Sequence, residues 1–142
     1  MTCRGKDVDG MILISIANQM RHCIAGMANE SPESRIDLAK LYDLSGKMAM
    51  GGSDYATSRL YLKLALSLLP TNSWEMQFEL SHRISLRMAK SVYSCGDVEE
   101  AQSILQQMLE KCRSFEDKVP VQAMLVTSEC NPWYYLLTSI IC

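Results

Sequence analysis

Apolar residues recur along this chain at spacings of three and four, the signature of helices with one buried face. Residues 11–28 carry Leu13, Ile16, Ala17, Met20, Ile24 and Met27 in that pattern, which predicts a leading amphipathic helix. Ser31, Pro32 and Glu33 supply an N-cap, a proline at the first helical position and an acid where the helix dipole favours it. They predict a second helix from about Pro32 to Met50. Its inward stripe is Ile36, Ala39, Leu41, Leu44 and Met48, and Gly51 with Gly52 offers left-handed residues at its end. Ser53 or Asp54 caps a third helix that runs through Tyr55, Leu62, Ala65, Leu66 and Leu69 until Pro70 stops it. The turn Thr71, Asn72, Ser73 opens a fourth, with Leu80, Ile84, Met88 and Val92 on one side and Trp74 and Phe78 beside them. Glu75, Glu79, Arg83 and Arg87 form its solvated face, acids before bases as intrahelical ion pairs prefer. Asp97 and Glu100 make an acidic capping box for a fifth helix bearing Val98, Ala101, Ile104, Leu105, Met108, Leu109 and Cys112. Beyond Val119 and Pro120, Ala123, Met124 and Val126 predict a short sixth, ended by Asn131 and Pro132. No segment alternates strictly between apolar and polar, so the expected fold class is all-α, without strands.

Two stretches also align with each other at a constant offset of 43. Gly46, Ala49, Tyr55, Ser58, Leu62 and Ala65 match Ala89, Val92, Val98, Ala101, Leu105 and Met108. Small residues thus fall where two antiparallel helices cross and large ones fall at the hairpin interface, as in tetratricopeptide repeats. Pro70 sits where that repeat places its terminal proline. The offset exceeds the usual period of about 34, so the resemblance is to the repeat's packing with a lengthened helix. A right-handed array of antiparallel hairpins, about five to six helices in all, is the expected architecture.

Composition narrows the function classes. The chain has 142 residues, 48% of them hydrophobic and 21% charged, and a formal net charge of −2. It therefore has globular values and no net positive field to gather nucleic acid or anionic lipid. Its six cysteines, at positions 3, 23, 95, 112, 130 and 142, contain no CxxC pair, and their isolation within apolar helical patterns suits reduced core thiols of a cytoplasmic protein. The flanks of residues 11–16 are wrong for a secretory signal, and residues 133–142 are too few to span a bilayer.

Catalytic chemistry finds little material. Gly46 and Lys47 hint at a phosphate loop, but Leu41 and Met48 stand where it needs a glycine and a Ser or Thr. His82, within Ser81 to Leu86, resembles a histidine phosphoacceptor, yet Arg83 stands where an acid normally follows, so a surface histidine is preferred. His22 and Cys23 are adjacent and diverge by about 100° on a helix, which suits no shared metal. Trp74, Tyr93, Trp133 and Tyr135 read as packing aromatics before they read as a ligand cage. No catalytic, cofactor-binding or metal-binding residue is expected, and no cofactor.

The run Leu38, Ala39, Ser45 to Ala49, Tyr55, Leu62, Leu68, Leu69, Pro70, Trp74, Glu75, Leu80, Tyr93, Gly96, Glu100 and Ala101 resembles a particular family segment. This is the helical region following the ATPase domain of large signalling proteins that join a protein-kinase-like domain, a predicted ATPase, helical repeats and often a sensor histidine kinase. The resemblance covers about residues 9–128 and is most specific over residues 65–74. Met50, Gly51 and Gly52 depart from it, as does the apolar tail, residues 129–142, which reads as a truncated or non-native continuation. The resemblance implies a non-catalytic interaction or connector module that contacts neighbouring domains or a partner protein, with neither nucleic acid nor a membrane span. The alternatives are a free-standing adaptor that binds a partner peptide, for which Arg59, Lys63 and Lys90 look scattered, and a His82 phosphoacceptor. Apolar residues at both ends, Met11 to Ile14 and Trp133 to Ile141, predict self-association of the isolated chain.

Overall fold

The computed structural model describes residues 11–12, 14–19 and 30–129. Within them all regular structure is helical: α1 (Pro32–Gly51), α2 (Tyr55–Leu68), α3 (Ser73–Met76), α4 (Phe78–Ser94), α5 (Val98–Lys111) and α6 (Phe115–Glu129). Residues 11–12 and 14–19 are helical and belong to the predicted leading helix, whose remainder lies outside the described residues. Each long helix packs on the next in sequence order of the hairpins, α1 on α2, α2 on α4, α4 on α5 and α5 on α6, while α4 also touches α1 and α6.

Local chemistry sets the boundaries. Ser31 caps α1 by accepting the Ser34 N–H at 3.3 Å, with Pro32 leading the helix. Asp54 and Asp97 cap α2 and α5 by accepting from the N–H groups of Thr57 (3.2 Å) and Glu100 (3.3 Å). Their backbones nearly superpose in dihedral space, at φ −90°, ψ 73° and φ −91°, ψ 74°. The residue before each cap has positive φ, Ser53 at 60° and Gly96 at 94°. The Asp54 N–H bonds the Ala49 carbonyl and the Asp97 N–H bonds the Val92 carbonyl, at 2.9 and 3.2 Å.

One core joins Leu38, Ala39, Tyr42, Tyr61, Leu62, Ala65, Leu68, Leu80, Ile84, Met88, Val92 and Ala101; a second centres on Ala89, Leu105, Met108 and Val121. Tyr42 and Tyr61 stack at 5.9 Å and reach the leading helix, Tyr42 Oη donating to the Ala17 carbonyl (3.1 Å) and Tyr61 Oη to Asn18 Oδ1 (2.8 Å).

Several expectations shift. The inward face of α1 is Leu38, Ala39, Tyr42, Asp43, Ser45, Gly46 and Ala49, and Leu44 is 42% exposed. Close approach of α2 favours small residues there: a Cβ on Gly46 would sit 2.7 Å from Leu62 Cγ. Neither Gly51 nor Gly52 is left-handed; Gly51 ends α1 as a helical residue and Ser53 takes that conformation instead. The fourth helix is interrupted at Gln77 (φ −130°, ψ 49°), which caps both α3 and α4. The sixth helix begins at Phe115, well before Pro120, because Ser114 and Asp117 cap each other reciprocally, each side chain accepting the other's N–H. Pro120 therefore lies inside α6.

Candidate interaction face

The expected solvated face of α4 turns inward at its basic end. Arg83 and Arg87, one turn apart, both reach across to Asp43 on α1: Arg83 Nε donates to Oδ2 at 2.9 Å and Arg87 Nη1 to Oδ1 at 2.5 Å. The Asp43 side chain is only 3% exposed, whereas those of Arg83 and Arg87 are 50% and 21% exposed. A buried carboxylate with both oxygens answered by guanidinium groups is satisfied and fixes the α1–α4 crossing. On the same face of α1, Lys40 precedes Asp43 by one turn and Lys47 follows it by one, both exposed, with Leu44 between them. On α4, Lys90 continues the Arg83 and Arg87 row and is exposed.

Arg59, weighed above as a groove residue, is engaged between the hairpins. Its guanidinium donates to Glu100 and lies 3.6 Å from Asp97. The Glu100 carboxylate thus faces α2, and the predicted capping box is formed on the Asp97 side alone.

At the opposite end, His82 is half-buried and not a free surface group. Its Nε2 lies 2.9 Å from the Asp117 carbonyl, and its ring packs at 5.7 Å from Phe78 and 6.5 Å from Trp74. The Cys112 thiol donates to the same carbonyl at 3.6 Å. Burial first, then the nearby Asp117 charge, pushes the Cys112 thiol up against the opposing pull of Lys118. A nucleophilic Cys–His pair needs the thiolate, and this environment disfavours it. Arg113 closes the junction by donating to the Trp74 and Glu75 carbonyls, both at 2.9 Å, while its guanidinium lies 4.7 Å from the Phe78 ring centre. Lys111 Nζ lies 5.2 Å from the Trp74 ring. An open cleft of about 360 Å³ lies beside this packing.

Gly46 and Lys47 are mid-helix, so their backbone forms no phosphate-cradling loop. Both Cys95 and Cys112 are free thiols; Cys112 is half-buried against the second core, whereas Cys95 is exposed, which corrects the expectation of a core cysteine there. His22, Cys23, Trp133, Tyr135 and the other three cysteines lie outside the described residues. Among the described residues no cluster of three His, Cys, Asp or Glu could hold a metal ion, and no helix is long and apolar enough to cross a membrane. The Asp43, Arg83 and Arg87 cluster escaped sequence reading; its members are 40 and 44 positions apart. No family model, curated protein or solved structure matches this chain.

Proposed function

We propose that the α1–α2 and α4–α5 hairpins are two tetratricopeptide-like copies of one unit, and that the chain is a non-catalytic interaction or connector module. Its place would be within a multidomain signalling ATPase or kinase in the cytoplasm, against neighbouring domains or a partner protein. The observation that supports the repeat reading is the agreement of the two hairpins at the offset of 43. Gly46, Ala49, Ser58, Leu62 and Ala65 are buried, and so are Ala89, Val92, Ala101, Leu105 and Met108; Tyr55 and Val98 are both half-buried. A unit that buries its apolar face on its neighbour leaves its other surface free for partners. The signalling context rests on the family resemblance alone.

The test is to sequence the transcript on both sides of these 142 codons. In-frame ATPase and kinase domains are the expected result. Stop and start codons bounding the segment would overturn the connector reading in favour of the free-standing adaptor. Incubation with a cognate kinase followed by mass spectrometry should leave His82 unmodified, because its ring is half-buried and its Nε2 faces a carbonyl.

A further inference from the structure

We infer that the face shared by α1 and α4 docks an acidic protein segment carrying one apolar anchor residue. The inference rests on the interaction-module reading and names the partner chemistry.

Asp43 brings the two helices together at one point, and positions around it follow from helical periodicity. Residues 40, 44 and 47 share the α1 face that flanks Asp43, and residues 83, 87 and 90 share the α4 face opposite. Those positions hold Lys40, Leu44, Lys47, Arg83, Arg87 and Lys90. Lys40 and Lys47 stand at the same places in the first helix of their unit as Arg83 and Lys90 do in theirs, so the cations form two matched rows. The acids on this face are Asp43, which is buried and already bonded to both arginines, Asp37, which lies 3.8 Å from Lys40, Glu33, one turn before Asp37, and Glu79, one turn before Arg83, four against the five cations. The Lys40–Asp37 pair is exposed, with side chains 56% and 77% accessible, and such pairs yield readily to a better partner. A positive excess therefore collects on one face of a chain whose net charge is −2. A carboxylate-rich segment is its electrostatic complement.

Leu44 sharpens the choice of occupant. It is 42% exposed between Lys40 and Lys47 along α1, on the side of them away from α4, where an apolar side chain would shed water while the neighbouring charges orient the segment. Arg83 is half-exposed although bonded, so it can hold Asp43 and still present N–H groups outward. A single-stranded nucleic acid would ask instead for aromatic planes on which bases stack, and the exposed positions of this face carry none.

The experiment uses the whole chain and a fluorescein-labelled peptide of glutamates around one central leucine, followed by fluorescence anisotropy. Saturable binding that weakens as salt rises is expected. Lys47→Glu combined with Lys90→Glu should weaken it by about tenfold or more, as reversed charges across an interface do, with the helical circular dichroism unchanged because both side chains are exposed. Leu44→Ser should weaken it less, and the same peptide without its leucine should bind more weakly. Absence of binding at low salt, or equal binding by the charge-reversed variant, overturns the inference. Equal competition by an oligothymidylate overturns it too, since the face would then be a general polyanion surface. If transcript sequencing finds the flanking ATPase and kinase domains while the peptide is ignored, the connector reading stands and this inference alone falls.

Discussion

The two hairpins solve one geometric problem with different residues. In the first, α1 and α2 cross at Gly46 and Ser58, and the Ser58 hydroxyl donates to the Gly46 carbonyl at 2.7 Å while meeting Ser91 Oγ at 2.9 Å. In the second, the equivalent positions are Ala89 and Ala101, both fully buried. The turns differ likewise: Ser53 holds a left-handed conformation in the first and Gly96 in the second. Caps, cap dihedrals and turn hydrogen bonds nevertheless coincide. The shared backbone pattern comes from the Asp caps and the close crossing, so glycine at the turn and serine at the crossing are local solutions and not requirements. The first hairpin accordingly carries more polar bonding at its crossing than the second.

The largest effect should come from the residue the hairpins share. Leu62 and Leu105 are both fully buried, so Leu62→Ala and Leu105→Ala should each destabilise by about 2–5 kcal/mol, measured by urea unfolding. An unchanged midpoint for Leu105→Ala would remove the second hairpin from the comparison.

Gly46 separates the two hairpins more finely. Its added Cβ would meet Leu62 Cγ and Cδ2 at 2.7 and 2.9 Å, and Cγ is a branch point that cannot move without the whole side chain. Gly46→Ala should therefore cost about 0–2 kcal/mol net, overpacking of about 1–3 set against a helix-propensity gain of about 1. In a Leu62→Ala background the same change should become stabilising, because the obstruction is gone. Additive effects in the double mutant would show that the crossing is looser than described.

At the turns the signs should oppose. Gly96→Ala forces a side chain into φ 94° and should lose about 1 kcal/mol, while Ser53→Gly relieves a left-handed serine and should gain roughly 0.5 kcal/mol after the entropy cost of glycine. Equal signs would mean that the two turns are not equivalent.

These contrasts also mark how far the sequence could be read. Helix starts at Pro32, Tyr55 and Val98 were legible because Ser31, Asp54 and Asp97 are local signals whose bonds close within three residues. Ser114 with Asp117 was an equally local signal, but Pro120 drew the expected start of α6 too late. The α4 stripe of Leu80, Ile84, Met88 and Val92 is buried as its spacing predicts. The α1 stripe was recoverable only in part: Ala39 is buried and Ile36 and Leu41 pack against the core, but the buried surface also holds Asp43, Ser45 and Gly46, whose burial follows from close approach and from a partner elsewhere in the chain. The same reason hid the Asp43 cluster. Arg83 and Arg87 look like ordinary solvated bases beside Glu75 and Glu79, and only tertiary structure brings Asp43 to them.

The smallest expected effect distinguishes the caps by acid. The Thr57 hydrogen bonds to Asp54, from its side chain first and its backbone N–H next, hold that carboxyl below its ordinary range. A carboxyl with a lowered folded-state pKa contributes stability that is present above its unfolded value, near 3.9. That contribution is lost as pH falls through the folded value. Between pH 7 and 5 the Asp54 cap should thus leave the melting temperature flat, and below pH 4 it should steepen the decline. Asn caps a helix about as well as Asp without titrating, so Asp54→Asn should match the parent at pH 7 and fall less steeply below pH 4. Asp117, lowered chiefly by its Ser114 hydrogen bond, gives the control outside both hairpins: Asp117→Asn should flatten the acid limb in the same sense while leaving the α1–α2 turn untouched. If Asp54→Asn follows the parent curve down to pH 3, the Asp54 carboxylate is not what holds the start of α2, and the coincidence of the two caps is one of backbone geometry alone.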